Sequence, residues 1–346
     1  MIIIILKIQD NLLEGITLKR TKIIITLLAA FAFTGTLLLG CSANNTKTDA
    51  TATPSATASP AETTGPQTET ESATRDFTDW TGHTVQVPTT PQRVIYHGET
   101  TGDLLALGVI PIGTTDITGA VYEDLLPDAV DVGFPIEPEK AMSLNPDLII
   151  FSNADEAQYA QLAKVAPTVT FDTFASLDDR MRTLGDLLNK KQEAEDWIAA
   201  HHTATDEMWK KLHENGLKEG ETATVLTMYP GKRLFVMAGA GLPQFIYEKN
   251  GFKPVTQVAE MIKEGQGFVE ISTEVLPEIA GDRLFILTPV TSDARNESNE
   301  LVNSAIWKKL PAVQAGKVYE FDIMKATSDA KSREWLTQEL PKQLLK

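Results

Sequence analysis

Two stretches of this chain repeat the same landmarks in the same order, and a duplication of that kind restricts the fold more than any other feature of the sequence. The first runs Gly108-Val109-Ile110-Pro111, then Glu139 and Asp147 eight residues apart, then Pro167, then Phe171-Asp172. The second runs Gly251-Phe252-Lys253-Pro254, then Glu274 and Asp282, again eight apart, then Pro311, then Phe321-Asp322. In each unit the glutamate opens a short helix, where a carboxylate complements the positive helix end, and the aspartate leads into an apolar strand, 148–151 or 284–287. Two pseudo-equivalent lobes follow.

The pattern between these landmarks is one of alternation. A hairpin is expected over 77–88, around the turn at Gly82. Extended runs at 93–97, 109–113, 148–152 and 169–171 are interleaved with helical patterns at 103–107 and 156–165, and a second series runs from 222 to 321. Strands alternating with helices favour α/β lobes with largely parallel sheets. Between the lobes, 177–214 lacks proline and spaces Leu177, Met181, Leu184, Leu188, Trp197, Ile198, Met208, Trp209 and Leu212 at mostly helical intervals, with Gly185 or Asn189 as a point of break. A helix of that length makes a stiff connection.

The N-terminal part obeys other rules. Lys19, Arg20 and Lys22 precede an uncharged apolar run, which ends at Leu38-Leu39-Gly40-Cys41, the only cysteine in the chain. That order is a secretory signal closing on a lipidation motif, with an uncleaved membrane helix as the alternative. Asp10 and Glu14 sit ahead of the positive region, and a start at Leu18 would give a normal signal peptide, leaving residues 1–17 as a mis-called extension. Residues 42–74 are Thr, Ala, Ser, Pro and Glu-rich without an aromatic side chain, the composition of a disordered tether. The expected division is 1–40 signal peptide, 41–75 lipidated Cys41 and tether, 76–175 first lobe, 176–215 linking helix region, and 216–346 second lobe. Loss of residues 1–40 removes four basic and two acidic residues and takes the formal charge from -16 to -18. Such acidity disfavours nucleic acid and anionic membrane surfaces as partners.

The residues resemble the bilobal, helix-linked binding proteins of ABC importers for ferric siderophores, haem and cobalamin. The resemblance covers about Phe77 onward and is carried by Pro91-Gln92-Arg93-Val94-Ile95, Gly102-Asp103-Leu104-Leu105-Ala106-Leu107-Gly108-Val109 and Glu139-Lys140-Ala141-Met142-Ser143-Leu144-Asn145-Pro146-Asp147-Leu148-Ile149-Ile150. In the second half it is carried by Ile271-Ser272-Thr273-Glu274-Val275-Leu276, Trp307-Lys308-Lys309-Leu310-Pro311-Ala312-Val313 and Gly316-Lys317-Val318-Tyr319. It implies two Rossmann-like lobes with central, mostly parallel sheets joined by one long rigid α-helix. It further implies a monomeric, non-enzymatic receptor on the outer face of the cytoplasmic membrane of a Gram-positive cell, with no intrinsic cofactor, whose partners are a permease dimer and its ATPase. A glutamate of each lobe, here Glu139 and Glu274 by motif position, would meet arginines of the permease; capping of their own helices is the plainer role.

The cargo expected from the resemblance is a ferric siderophore, hydroxamate or catecholate. Open α/β sheets place ligands at strand ends. Candidate contacts are therefore Tyr96, His97, Thr100, Thr101 and Asn153 in the first lobe, with Tyr229, Lys232, Arg233, Met237, Lys325 and, further off, Arg333 in the second. Lys232 and Arg233 follow Pro230-Gly231, so a solvated turn competes with a pocket role, and Met237 in an apolar strand reads equally as core. A bare-metal receptor needs three or four clustered His and carboxylate ligands, which the sequence does not bring together. Haem stays open through His97 with Met228 or Met237, and cobalamin through the family. A lipid-anchored hydrolase would call for a Gly-x-Ser-x-Gly or His-Glu-x-x-His motif, and neither occurs.

Overall fold

A computed structural model describes residues 73–345. The expectations for Cys41, the signal and most of the tether lie outside these residues. The chain enters through the expected hairpin, β1 (Thr74–Thr78) and β2 (Thr84–Pro88), paired antiparallel with Phe77 opposite Val85.

The first lobe is a wholly parallel five-stranded sheet, β3 (Val94–His97), β4 (Gly113–Thr114), β5 (Val130–Asp131), β6 (Leu148–Phe151) and β7 (Thr168–Thr170), in spatial order β5-β4-β3-β6-β7. Its helices are α1 (Thr101–Ala106), α2 (Pro138–Ser143) and α3 (Glu156–Leu162). β3 and β6 are buried at every position, as central strands covered on both faces must be. Side-chain alternation splits them between two cores: Val94, Tyr96, Leu148 and Ile150 enter one, Ile95, Ile149 and Phe151 the other. Of the extended run expected over 109–113, only its end joins the ladder, because β4 is two residues long.

The helical stretch 177–214 is two helices, α4 (Leu177–Leu187) and α5 (Lys191–Glu214). The break falls at Asn189, whose φ of 57° is left-handed, and Lys190 N donates back to Gly185 O at 2.7 Å. α5 then runs antiparallel to α4, as the Arg182–Glu195 and Asp178–His202 pairs require. With 24 residues it is about 36 Å long and is the connection to the second lobe.

The second lobe holds β8 (Thr222–Tyr229), β9 (Arg233–Met237), α6 (Pro243–Ile246), β10 (Lys253–Pro254), α7 (Thr256–Lys263), β11 (Phe268–Ile271), α8 (Leu276–Ile279), β12 (Arg283–Thr288), α9 (Ser292–Asn303), α10 (Pro311–Gln314) and β13 (Val318–Asp322). Its sheet, in order β11-β9-β8-β12-β13, is mixed. β8, β12 and β13 are parallel, but the tight turn at Gly231 and Lys232 folds β9 back antiparallel on β8, and β11 is antiparallel to β9. The last helix, α11 (Ala330–Leu344), falls by sequence in the second-lobe segment, yet it packs on α1 and α5, and Ala330 enters the first-lobe core.

The repeated aspartates have a shared structural role. Asp147 accepts hydrogen bonds from the backbone N–H groups of Gln92 and Arg93 at 2.7 and 2.9 Å, just before β3. Asp282 accepts from the backbone N–H and hydroxyl of Thr222, both at 2.8 Å, at the start of β8. Each carboxylate thus fastens its own strand to the central strand beside it.

Candidate functional site

The loops that follow β3, β4 and β7 meet the second-lobe segment, the last through Phe174, which lies against Gly267. A side chain on Gly102 would overlap the Asp329 carboxylate, and one on Gly119 would come within 3.4 Å of Met324. Behind this junction lies a buried polar seam. Arg180 Nε donates to Asp103 Oδ2 at 2.9 Å with both side chains fully buried. The other Asp103 oxygen accepts from Ala330 N at 2.7 Å, and Arg180 Nη2 donates to Ser328 O at 2.7 Å. Burial opposes the Arg180 charge, but Asp103 outweighs it and holds the guanidinium above its ordinary pKa.

Several expected contacts prove to be structural. Tyr96 lies in the first-lobe core, its hydroxyl 2.5 Å from Thr100 Oγ1 and its ring edge-on to Phe171. Thr100 is committed to that bond and Thr101 to Thr114 at 2.8 Å, and both threonines are buried. His97 points to the opposite sheet face from Tyr96 and is stacked between Phe134 and Phe151, centroids at 5.1 and 5.6 Å. Neither of its ring nitrogens has a hydrogen-bond partner among the described residues. Burial pulls its pKa down to about 4 against a smaller opposing effect of the Gly133 backbone. It is therefore not placed to share haem with Met228, which lies in the second-lobe core, or with the buried Met237.

Three of the four basic candidates, Lys232, Arg233 and Arg333, are paired. Lys232 sits in the hairpin turn with φ 60°, its Nζ 2.9 Å from Glu300. Arg233 binds Glu270 Oε2 through Nε and Nη2 at 2.9 and 2.6 Å and lies over Phe235. Arg333 is buried, ion-paired with Glu248 and bonded to Ser328 O at 3.2 Å. It lines a groove of about 660 Å³ beside α5, together with His201, Thr205, Gln244 and Tyr247, which is also bordered by Phe174 in the loop after β7 and by Ala238 and Gly239 just after β9. Three candidates keep strand-end positions: Asn153, which follows β6 and accepts from Asp155 N; Tyr229, the last residue of β8; and Lys325, exposed beyond β13.

Glu139, in the first turn of α2, and Glu274, in a short 3-10 turn (Thr273–Val275), are both exposed. Neither carboxylate has a hydrogen-bond or ion-pair partner among the described residues. The cap before Glu274 is supplied by Ser272, whose Oγ accepts from Glu274 N, and α2 has no side-chain cap. Neither glutamate makes a capping hydrogen bond, though each stands in the first turn, where its charge complements the positive helix end.

Sequence reasoning passed over Glu99, Asp103, Arg180 and Glu248. For two of them the signal was present: Arg180 falls on the apolar stripe of α4 with Leu177, Met181 and Leu184, and Asp103 precedes Leu104-Leu105-Ala106-Leu107. A charge on a face that must be buried calls for a buried partner.

Residues 94–323 match the family model described as periplasmic binding protein. The iron(3+)-hydroxamate-binding protein YxeB of Bacillus subtilis is 29% identical over 248 residues, 69% of this chain and 75% of that protein. The Fe(3+)-citrate-binding protein YfmC of the same organism is 28% identical over 228 residues, 62% of this chain and 68% of that protein. Among solved structures, the FhuD protein from S. pseudintermedius superposes with a TM-score of 0.69 at 23% identity, covering 79% of this chain and 98% of that one. SirA of Staphylococcus aureus complexed with staphyloferrin B gives 0.68 at 25% identity, covering 78% and 98%. With the family match spanning most of both lobes, the chain belongs to the periplasmic binding protein family.

Proposed function

We propose that the protein is the extracytoplasmic receptor of an ABC importer, which captures a ferric siderophore between the strand ends of its lobes and delivers it to a permease dimer. The observation that carries this reading is the shared chemistry of its relatives. Proteins matched over 62 to 69% of the chain are named for binding ferric hydroxamates, ferric citrate and petrobactin. Glu139 and Glu274 are the docking residues in this reading. Support comes from their exposure, their lack of partners and their equivalent places in two repeated units, since a pseudo-two-fold receptor offers a two-fold permease two like contacts.

Lipidation at Cys41 would hold the receptor at the outer face of the cytoplasmic membrane. The low-complexity segment between Cys41 and β1 would then keep it at high effective concentration beside the permease. The test is tryptophan-fluorescence titration of the mature protein with ferric hydroxamates, ferric catecholates, ferric citrate, haem and cobalamin. Saturable quenching by a ferric siderophore is expected. Flat traces with every siderophore, or saturation by haem or cobalamin alone, overturn the assignment.

A further inference from the structure

The loop that follows β7 carries Phe174, a large apolar side chain that stays 52% exposed. Its backbone is nevertheless held from both sides. Phe174 N donates to Asp172 Oδ1 at 2.9 Å, and Arg180 Nη1 donates to the two flanking carbonyls, Thr173 O at 3.4 Å and Ala175 O at 3.0 Å. Arg180 is itself fixed by Asp103 and Ser328, so the course of the chain on either side of Phe174 is set from the buried seam.

The ring reaches the second lobe at Gly267, just before β11. A Cβ on Gly267 would lie 3.1 Å from Phe174 Cε1 and 3.3 Å from Ala240 Cβ, so the ring edge rests on bare backbone. The φ of Gly267 is not left-handed, and it is close approach that a side chain here would disturb. The seat is rigid, because Gly267 O accepts from the N–H groups of Ala238, Gly239 and Ala240 at 2.9, 3.0 and 3.1 Å. From there the contacts return to their origin: Gly239 O accepts from Gln244 Nε2 at 2.8 Å, and Gln244 Oε1 accepts from Arg180 Nη1 at 3.4 Å. This circuit crosses between the lobes twice, once by van der Waals contact and once by hydrogen bond, and Phe174, Gly239, Gln244 and Gly267 all border the groove beside α5. One crossing would leave the lobes free to pivot about it, whereas two at separate points oppose rotation as well as approach.

We infer that Phe174, seated on Gly267 and braced by Arg180 and Gln244, is a cross-lobe strut that fixes the spacing of the lobes and with it the width of the cleft between them. In cargo capture, where the inference rests on the siderophore reading, Phe174 is a positioning residue. It acts through the lobes, holding the two halves of the binding surface at a preset distance so that less ordering remains to be done on binding.

The experiment measures lobe spacing first and cargo second. In the chain with Cys41→Ser, spin labels at Asp124→Cys and Glu278→Cys, exposed positions of the first and second lobe, report the interlobe distance without any ligand. Phe174→Ala is expected to broaden the distance distribution. Gly267→Val is expected to lengthen the mean distance, and adding Phe174→Ala to it should cancel that displacement, as two residues in contact require. Where circular dichroism shows Gly267→Val unfolded, Gly267→Ala supplies a smaller displacement in the same direction. With a ferric trihydroxamate and a ferric tricatecholate as probes, Phe174→Ala should release the bound complex about tenfold faster, with little change in association. A distribution in Phe174→Ala that matches wild type, or a displacement at residue 267 that persists without the Phe174 ring, overturns the strut. A broadened distribution with an unchanged release rate overturns its role in cargo capture. Failure of the wild-type protein to bind either probe counts against the siderophore reading and leaves the distance measurements to decide the strut.

Discussion

At the scale of single residues, the Asp103–Arg180 pair is the interaction whose loss should be felt most. Both groups are fully buried, and the free oxygen of Asp103 and a second guanidinium nitrogen of Arg180 bond to the backbone beside α11. Asp103→Ala leaves Arg180 as a buried charge without its counter-ion, which is expected to cost about 3–5 kcal/mol. Urea unfolding would show this as a lowered midpoint, and an unchanged midpoint would refute it.

His97 makes the complementary case. The unfolded imidazole takes up its proton near pH 6.5 and the native one only near 4, so the unfolded state binds more protons between these values and stability falls as pH drops through that window. His97→Phe keeps a ring between Phe134 and Phe151 and has no proton to gain, so the variant should melt higher than wild type at pH 5, by about 1–3 kcal/mol. His83 works in the other sense. Burial lowers its pKa, but the hydrogen bonds and charges of Asp79 and Glu156 outweigh that and raise it. Its contribution is complete below the unfolded value of 6.5 and fades as pH rises through the folded one.

At the scale of elements, the helical hairpin of α4 and α5 depends on one close approach. A Cβ on Gly185 would lie 2.7 Å from Ala194 Cβ and 3.1 Å from Lys190 O, so Gly185 is a contact point between the helices, while Asn189 makes the turn. Gly185→Val should force the pair apart at about 1–3 kcal/mol, whereas Asn189→Gly should be tolerated, since glycine adopts the left-handed conformation without strain. Thermal melts of the two variants distinguish the roles. In the sequence both residues marked a break equally well, because glycine and asparagine each interrupt a helical pattern. Only the packing of one helix on the other tells a turn from a contact.

At the scale of the whole molecule, the two lobes, the linking helix α5 and the returning helix α11 fix the separation of Glu139 and Glu274. The double variant Glu139→Ala/Glu274→Ala should bind its cargo as tightly as the parent protein in solution. Uptake of labelled iron by cells should fall at least tenfold, with each single change having a smaller effect. Uptake at the normal rate would end the docking assignment.

The duplication of Glu, Asp, Pro and Phe-Asp landmarks was enough to read two matched α/β lobes and a helical connection, because these residues answer to local rules: helix starts, strand starts and tight turns. The cargo face was far less legible. Tyr96, His97, Thr100 and Thr101 stand at a strand end as candidates should, but alternation along β3 turns Tyr96 and His97 into cores on opposite faces, and the hydroxyls of Thr100 and Thr101 find partners inside the fold. Glu99, in the same segment, is left without a partner among the described residues. Whether a side chain at a strand end is core, clamp or contact depends on which neighbours non-local strands and helices bring to it. That pairing, between residues such as Asp103 and Arg180 or Arg333 and Glu248, was decided only by the tertiary structure.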